Sequence, residues 1–570
     1  MDMKPIPARK GNYNVKDYEA LRENFNWDDV KKQFSMYESG KVNIAYEALE
    51  RHAELPNVKH KRALIYASPH REETFTFLDM SRKSNRFANI LKKYGAQKGD
   101  CIFLLLPETP EFYIAFFGIL KIGAIASPLF DGFMEEAIRA RLQDSEATML
   151  VTTSDLLGRV PYKELPHLKN IIVIGDNVED DPFFIQYEEE METSPASFEM
   201  EWLDKEDGML LHYTAGSTEK PKGVLHVHEA MIQHYATAEW VLDLQPDDIY
   251  FCNANRAWVA GTSYGIFAPW LHGVTTIILD DNQSPELYYK IMEKYEVSVW
   301  YTSPPVLRML ASLRDEHEKY NLSALRHIVS GGQQLNPEVI TWGLETFDLR
   351  IHDTWLMTET GAHMIVNLPC NEIRPGSMGK PIPGVEAAII DHEGNELPPN
   401  QMGNLAFKAD WPAMMRAIWN NRNTYESYFL KGWFLTGDSA FRDEDGYFWF
   451  QGRLDDVINT SDERISPFEI ESKLIEHPAI QEAGVIGKPD PKHGEIIKAF
   501  ITLNSGFEES EELLEDIREF IKNTLSVHAA PDEIEVKDEI PKTRSGKIMR
   551  QLLKSWEQGA GNGDVPQLEV

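Results

Sequence analysis

Short apolar runs of strand length recur through most of this chain, separated by longer stretches with helical periodicity. Residues 101–106 (CIFLLL), 124–129, 149–152, 171–174 and 275–279 read as buried strands, and 134–142 and 285–295 as helices. Such alternation is the pattern of an α/β protein with largely parallel sheets, because parallel strands need a crossover between them. The most apolar window, 112–130, contains Lys121 and Pro128 and follows Thr109-Pro110, which read as an N-cap and a first-turn proline. It predicts a buried helix running into a strand, not a membrane span. No repeat of roughly 20 to 50 residues is visible, which argues against solenoids and propellers.

At 570 residues the chain is long enough for about two to four domains. Its character changes at Leu454-Asp455-Asp456: helical patterns shorten, charges increase, and a compact mixture of helices and strands runs to about Leu553. The expected organisation is a large region of α/β subdomains over 1–454 and a smaller α+β domain over 455–570. The acidic, Ser- and Pro-containing stretch 176–198 reads as a solvated surface loop, and the Gly- and Pro-rich end after Glu557 as frayed.

Charge and cysteine usage narrow the function classes. Asp and Glu number 91 against 57 Lys and Arg, a formal net charge of −34. That field repels phosphate and argues against nucleic acid or an anionic membrane as a partner. The three cysteines, Cys101, Cys252 and Cys370, are far apart with no CxxC pair. They exclude a disulfide framework and a cysteine zinc site. No apolar run follows the basic residues near Met1, so no secretory signal is expected and a cytoplasmic location is.

The segment richest in chemistry is 213–223, YTAGSTEKPKG, between two apolar strand candidates. Small residues let backbone approach an anion, hydroxyls and N–H groups donate to its oxygens, and lysines neutralise its charge. It matches neither GxxxxGK[ST] nor GxGxxG. Four further segments share its order: HDTWLMTETG at 352–361, GWFLTGDSA at 432–440, QGRLDDVINTSDER at 451–464 and PKTRSGKIMR at 541–550. His226 and His228, in LHVH, read as structural rather than as metal ligands, since no HExxH accompanies them.

Together these segments resemble the AMP-forming acyl-CoA synthetases of the adenylate-forming superfamily, over nearly the whole chain. The similarity is greatest to the acetate-activating subfamily, supported by NFNW at 24–27, KVNIAYEALERH at 41–52, GSMGKPIPGVEA at 376–387 and WNNRNTYESYF at 419–429. The resemblance implies that a carboxylate attacks the α-phosphate of ATP and that the thiolate of CoA then displaces AMP. It implies that Lys547 holds carboxylate and α-phosphate oxygens, that Thr358 lies beside the α-phosphate, and that Glu359 binds Mg²⁺. Thr214, Gly216, Ser217, Thr218 and Lys222 would belong to the loop around the β,γ-phosphates. Gly332, Gln333, Gln334, Asp353, Thr354 and Trp355 would line the adenine. Asp438 and Arg453 would hold the ribose hydroxyls and Arg464 a phosphate. Trp258, Val259 and Leu356 would shape the acid pocket. Asp455 would be the hinge of a mobile C-terminal domain. Lys547 is also a candidate for control by a lysine acetyltransferase and deacetylase, because acetylation removes its charge.

Several positions depart from the family pattern. Ala215 and Glu219 replace Ser and Gly in the phosphate loop, Gln333-Gln334 replace Glu-Pro, and Asp462 replaces a glycine expected near the CoA entrance. The segment 255–260 is altered at Asn255, Ala257 and Ala260. Leu356 stands where the acetate-type pocket has a tryptophan floor, which leaves room for larger acids. Two alternatives follow: a catalytically weakened nucleotide-binding paralogue, for which Glu219 is the best support, and a ligase preferring an acid larger than acetate. An enzyme serving a carrier protein ranks lower, since no carrier segment follows Leu553.

Overall fold

The computed structural model describes residues 4–557 except 10, 177–180, 215–220, 281–283, 334, 455, 457, 460–463, 466, 491–493, 525–528 and 543–547; Arg464 is described by its backbone alone. The chain packs as two compact units, Met1–Val385 with Ala409–Ser427, and Glu386–Lys408 with Tyr428–Val570.

The first unit is built on two large sheets. One has nine strands, in the order Lys380–Pro381, Ile365–Val366, Ile351–Trp355, His327–Gly331, Val299–Thr302, Ile249–Cys252, Thr275–Leu279, Arg62–Ala67 and Glu72–Thr76. The strands from Ile351–Trp355 through Arg62–Ala67 run parallel, and antiparallel strands close both edges. The other has eight, with parallel strands from Gly208–Thr214 to Phe184–Gln186 and antiparallel Lys222–Val227 and Ala417–Ile418 at one side. Every strand and helix quoted above from the apolar pattern is present, as Cys101–Leu105, Ile125–Leu129, Met149–Thr153, Asn170–Ile174, Thr275–Leu279, Glu135–Asp144 and Pro285–Lys294. The apolar window is the helix Pro110–Lys121, buried on nearly every side, running into the strand Ile125–Leu129. Thr109 takes the extended N-cap conformation, but its side chain makes no capping hydrogen bond. Among the described residues no helix is long and apolar enough to cross a membrane.

The acidic stretch 176–198 is more structured than a surface loop. Phe184–Gln186 adds an edge strand, and Tyr187–Thr193 is a helix whose buried Tyr187 packs near the Phe87 ring. Its acidic composition hid the apolar Phe184, Ile185 and Tyr187, and Arg86 adds hydrogen bonds to the carbonyls of Met191, Glu192 and Ser194.

The second unit contains a five-stranded antiparallel sheet built around Gly403–Lys408 and Trp433–Arg442, a three-stranded sheet, and the helices Pro467–Ile475, Glu511–Thr524 and Arg550–Glu557. This is the expected α+β character. The packing division does not fall at 454/455, because Glu386–Lys408 pairs with strands beyond residue 428. Compactness and hinge motion are different properties, and the expected hinge Asp455 lies outside the described residues.

Candidate active site

In the first unit the expected phosphate loop is the connection of a β-hairpin. Thr214 faces Lys222, and Tyr213 faces Gly223, across antiparallel strands. Gly216, Ser217 and Thr218 lie outside the described residues, as do Ala215 and Glu219. The hairpin base is held firmly: the Tyr213 hydroxyl donates to the Asp144 carboxylate at 2.7 Å. A Cβ on Gly223 would lie 3.0 Å from Cβ of Trp419.

The segment around Thr358 and Glu359 is a 3₁₀ turn whose outward carbonyls are held by side chains from distant elements. His226 Nε2 lies 2.8 Å from the Thr358 carbonyl and Trp411 Nε1 donates to the Thr360 carbonyl at 2.9 Å. His234 Nε2 and Ser263 Oγ both reach the Gly361 carbonyl, at 3.1 and 2.9 Å. Gly361 itself has φ +74°. A Cβ there would come within 2.1 Å of the Ala413 carbonyl oxygen. The turn is therefore held from several sides, with Thr358 half-buried and Glu359 8% exposed. His226 also has Nδ1 3.2 Å from the Ala413 carbonyl. A neutral ring has one N–H, and the shorter contact makes Thr358 its acceptor. His226 is thus a buttress, in keeping with its structural reading, and sequence reasoning did not foresee what it supports.

The parallel strand ends supply a polar row. Thr302, Ser330 and Asp353 are lateral neighbours on three adjacent strands. Thr302 Oγ1, Ser330 Oγ and Asp353 Oδ1 are buried without hydrogen-bond partners. Burial holds the Asp353 carboxyl well above the usual carboxylate range. On the opposite face Thr354 Oγ1 donates to the Ser330 carbonyl at 2.8 Å. Gly332 follows with φ +97°, and a Cβ there would meet nothing within 4 Å. Gln333 and Trp355 are half-buried, and Gln334 lies outside the described residues. The carboxyl ends of parallel strands are where open α/β sheets bind ligands. Thr302 and Ser330 are not among the residues singled out in the sequence, where they stand as hydroxyls at or next to the ends of the strands Val299–Thr302 and His327–Gly331.

Trp258 and Val259 begin the short helix Val259–Thr262, where Trp258 meets Phe130 edge-on at 5.8 Å. Leu356 is half-buried just after the strand Ile351–Trp355. The Ser263–Gly361 hydrogen bond ties the segment after Val259 to the turn after Leu356.

In the second unit Asp438 and Arg453 face each other across antiparallel strands and form an ion pair at 3.0 Å. Arg453 Nη1 also donates to the Thr436 carbonyl at 3.2 Å, and Thr436 Oγ1 accepts from the Asp438 N–H at 3.0 Å. Arg464 lies on the strand Arg464–Ile465, opposite Asn459. Lys547 and Asp462 lie outside the described residues; Lys542 and Ile548, flanking 543–547, form an antiparallel bridge.

The buried histidines are expected to make the fold acid-sensitive. Burial lowers His52, His226, His272 and His327 to about 4, and His212, His228 and His234 to about 3. The native state keeps these rings neutral while the unfolded chain takes up protons below about 6.5. Their contribution is therefore complete above about pH 6.5 and is lost as pH falls toward 4, by about 1.4 kcal/mol per ring per pH unit. Buried Glu108, Glu471 and Asp353, whose carboxyls are raised, act in the opposite sense. The named histidines outnumber them, so the melting temperature is expected to hold from about pH 7.5 to about pH 6.5 and to fall from there to about pH 5. A flat profile in scanning calorimetry would contradict this.

The comparisons with known proteins bear on the same residues. The AMP-binding enzyme family matches residues 49–419, a span containing the hairpin, the 3₁₀ turn and the polar row. The chain belongs to the AMP-binding enzyme family. The C-terminal domain of AMP-binding enzymes matches 469–547, a stretch that ends on Lys547. The chain is 56% identical to an acetyl-coenzyme A synthetase of Bacillus subtilis, over 100% of both chains. It is 37% identical to an acetyl-coenzyme A synthetase of Methanothrix thermoacetophila, over 93% of this chain and 85% of that one. Among solved structures, an anthranilate CoA ligase in complex with anthranoyl-AMP has TM-score 0.84 and 30% identity, covering 94% of this AMP-binding enzyme and 99% of the ligase. A Brucella canis acyl-CoA synthetase has TM-score 0.75 and 32% identity, covering 96% and 99%.

Proposed function

We propose that this AMP-binding enzyme ligates acetate to CoA in two steps at the expense of ATP. The observation that carries the reading is the end-to-end similarity, 56% identical, to a bacterial acetyl-coenzyme A synthetase. A carboxylate oxygen attacks the α-phosphorus of ATP, the bond to the bridging oxygen breaks, and acetyl-adenylate and pyrophosphate form. The CoA thiolate then attacks the acyl carbon, and AMP leaves with the electron pair of the broken C–O bond. The first step brings two anions together, so alignment and charge neutralisation dominate catalysis.

In this reading the hairpin end at Thr214 and Lys222 holds phosphate oxygens, while Thr358 positions the α-phosphate. Gly332, Gln333, Thr354 and Trp355 contact the adenine, Asp438 and Arg453 the ribose, and Lys547 the reacting oxygens. Among the described residues no three His, Cys, Asp or Glu side chains form a metal-binding group. A single carboxylate, Glu359, nevertheless fits Mg²⁺, which is commonly held by one or two carboxylates plus substrate phosphates and water. Mg²⁺ held there would supply charge neutralisation to the phosphates. Acetylation of Lys547 would remove the first step; an acetylated protein with full adenylation activity would exclude that control. Cys101, Cys252 and Cys370 are free thiols, which supports a cytoplasmic location.

The function is tested with purified protein, ATP, Mg²⁺ and C2–C6 acids, measuring acid-dependent pyrophosphate exchange and then thioester formation. Acetate is expected to support both, and failure of every acid would favour the weakened paralogue. Leu356 in place of an indole leaves space for further methylenes, each contributing about 0.8 kcal/mol when buried, or about fourfold. Propionate and butyrate are therefore expected to compete, and Leu356→Trp to shift kcat/KM toward acetate by about tenfold. A wild type active on acetate alone would refute the pocket argument.

A further inference from the structure

Two residues before Trp258 lies Arg256, a cation only 2% exposed. Its Nε is 3.1 Å from the Tyr113 hydroxyl and 3.5 Å from Glu108 Oε2, and Nη1 donates to the carbonyls of Cys252 at 3.2 Å and Ala254 at 2.5 Å. Its own N–H donates to Glu108 Oε1 at 2.9 Å. The guanidinium also packs against Gly265, where a Cβ would lie 3.1 Å away. Tyr113 in turn donates to the Gly265 carbonyl at 3.1 Å. Glu108 and Arg256 line a small cleft together with Cys252 and Asn253.

A buried ion pair adds little stability over apolar residues of the same volume, so its effect lies in the geometry it imposes. Here that geometry is the turn leading to Trp258. Arg256 pins the carbonyls at 252 and 254. Asn255 then caps the Ala257 N–H with its side chain at 2.8 Å and the Trp258 N–H with its carbonyl at 3.0 Å. Gly261 closes against the same turn: a Cβ there would lie 2.0 Å from the Asn255 carbonyl oxygen. We propose that Arg256, held by Glu108, is a positioning residue that sets the place of Trp258 and so the acid selectivity of the enzyme. This inference rests on the acid-activating function proposed above.

Arg256→Met, Arg256→Lys and Glu108→Gln test it through pyrophosphate exchange with acetate, propionate and butyrate, alongside KM for ATP and the melting temperature. Arg256→Met is expected to raise KM for acetate about tenfold and to change the propionate-to-acetate ratio of kcat/KM at least about fivefold, with KM for ATP within about twofold. Arg256→Lys should recover part of the ratio. If Arg256→Met does not fold, Glu108→Gln and Arg256→Lys carry the test with a ratio change of about threefold. An active wild type whose variants keep its acid ratio, or raise KM for ATP and acid together, overturns the inference alone. A wild type active on no acid overturns the function and the inference with it.

Discussion

Gly361→Ala is expected to lower acid-dependent pyrophosphate exchange by about 100-fold or more. The left-handed backbone at φ +74° disfavours any side chain by about 1 kcal/mol. The larger effect is the collision: the new Cβ would lie 2.1 Å from the Ala413 carbonyl oxygen and 2.9 Å from the His226 ring. The turn must move, and it cannot do so without releasing the carbonyls of Thr358 and Gly361 from His226, His234 and Ser263. Displacement of a positioned group by about 1 Å is worth about 100-fold in rate. Gly446→Ala is the control. It has φ +84° but meets nothing within 4 Å, so it should lose about 1 kcal/mol of stability and little activity. Equal activities for the two variants would show that the turn geometry is unimportant.

Lys547→Ala is expected to reduce acid-dependent pyrophosphate exchange by about 10³-fold while sparing thioester formation from supplied acetyl-adenylate and CoA to within about tenfold. The first half-reaction joins a carboxylate to a phosphate, and a fixed ammonium is most valuable where water is excluded and charges of one sign converge. The second half-reaction sets a thiolate against a neutral carbonyl carbon and does not need that cation. The asymmetry between the half-reactions is the informative quantity. Equal loss in both would assign Lys547 a role in folding or in both steps, and would remove the reading in which domain motion about Asp455 exchanges one set of groups for another.

Much of the architecture was readable from local pattern, because burial of a strand or helix is recorded in the spacing of its apolar residues. The helix Pro110–Lys121 and the strands around it follow directly from that spacing. The pattern failed over 176–198, where acidic residues outnumber the few apolar side chains that anchor a strand and a helix. The motif segments were legible for a different reason: adenylation needs particular hydroxyls, lysines and carboxylates, and their types and order survive in the sequence.

By itself, then, the sequence determined the α/β class, the adenylation motifs and the departures at Ala215, Glu219 and Leu356. Tertiary structure alone decided how the candidate residues are held. Antiparallel register sets Asp438 against Arg453, parallel register aligns Thr302, Ser330 and Asp353, and packing brings His226 to Thr358 and Glu108 to Arg256. These partners are separated along the chain by as few as 15 and as many as 148 residues. Local periodicity carries no information about such pairs, since strand register and the crossing of distant segments are set by the packing of the whole core.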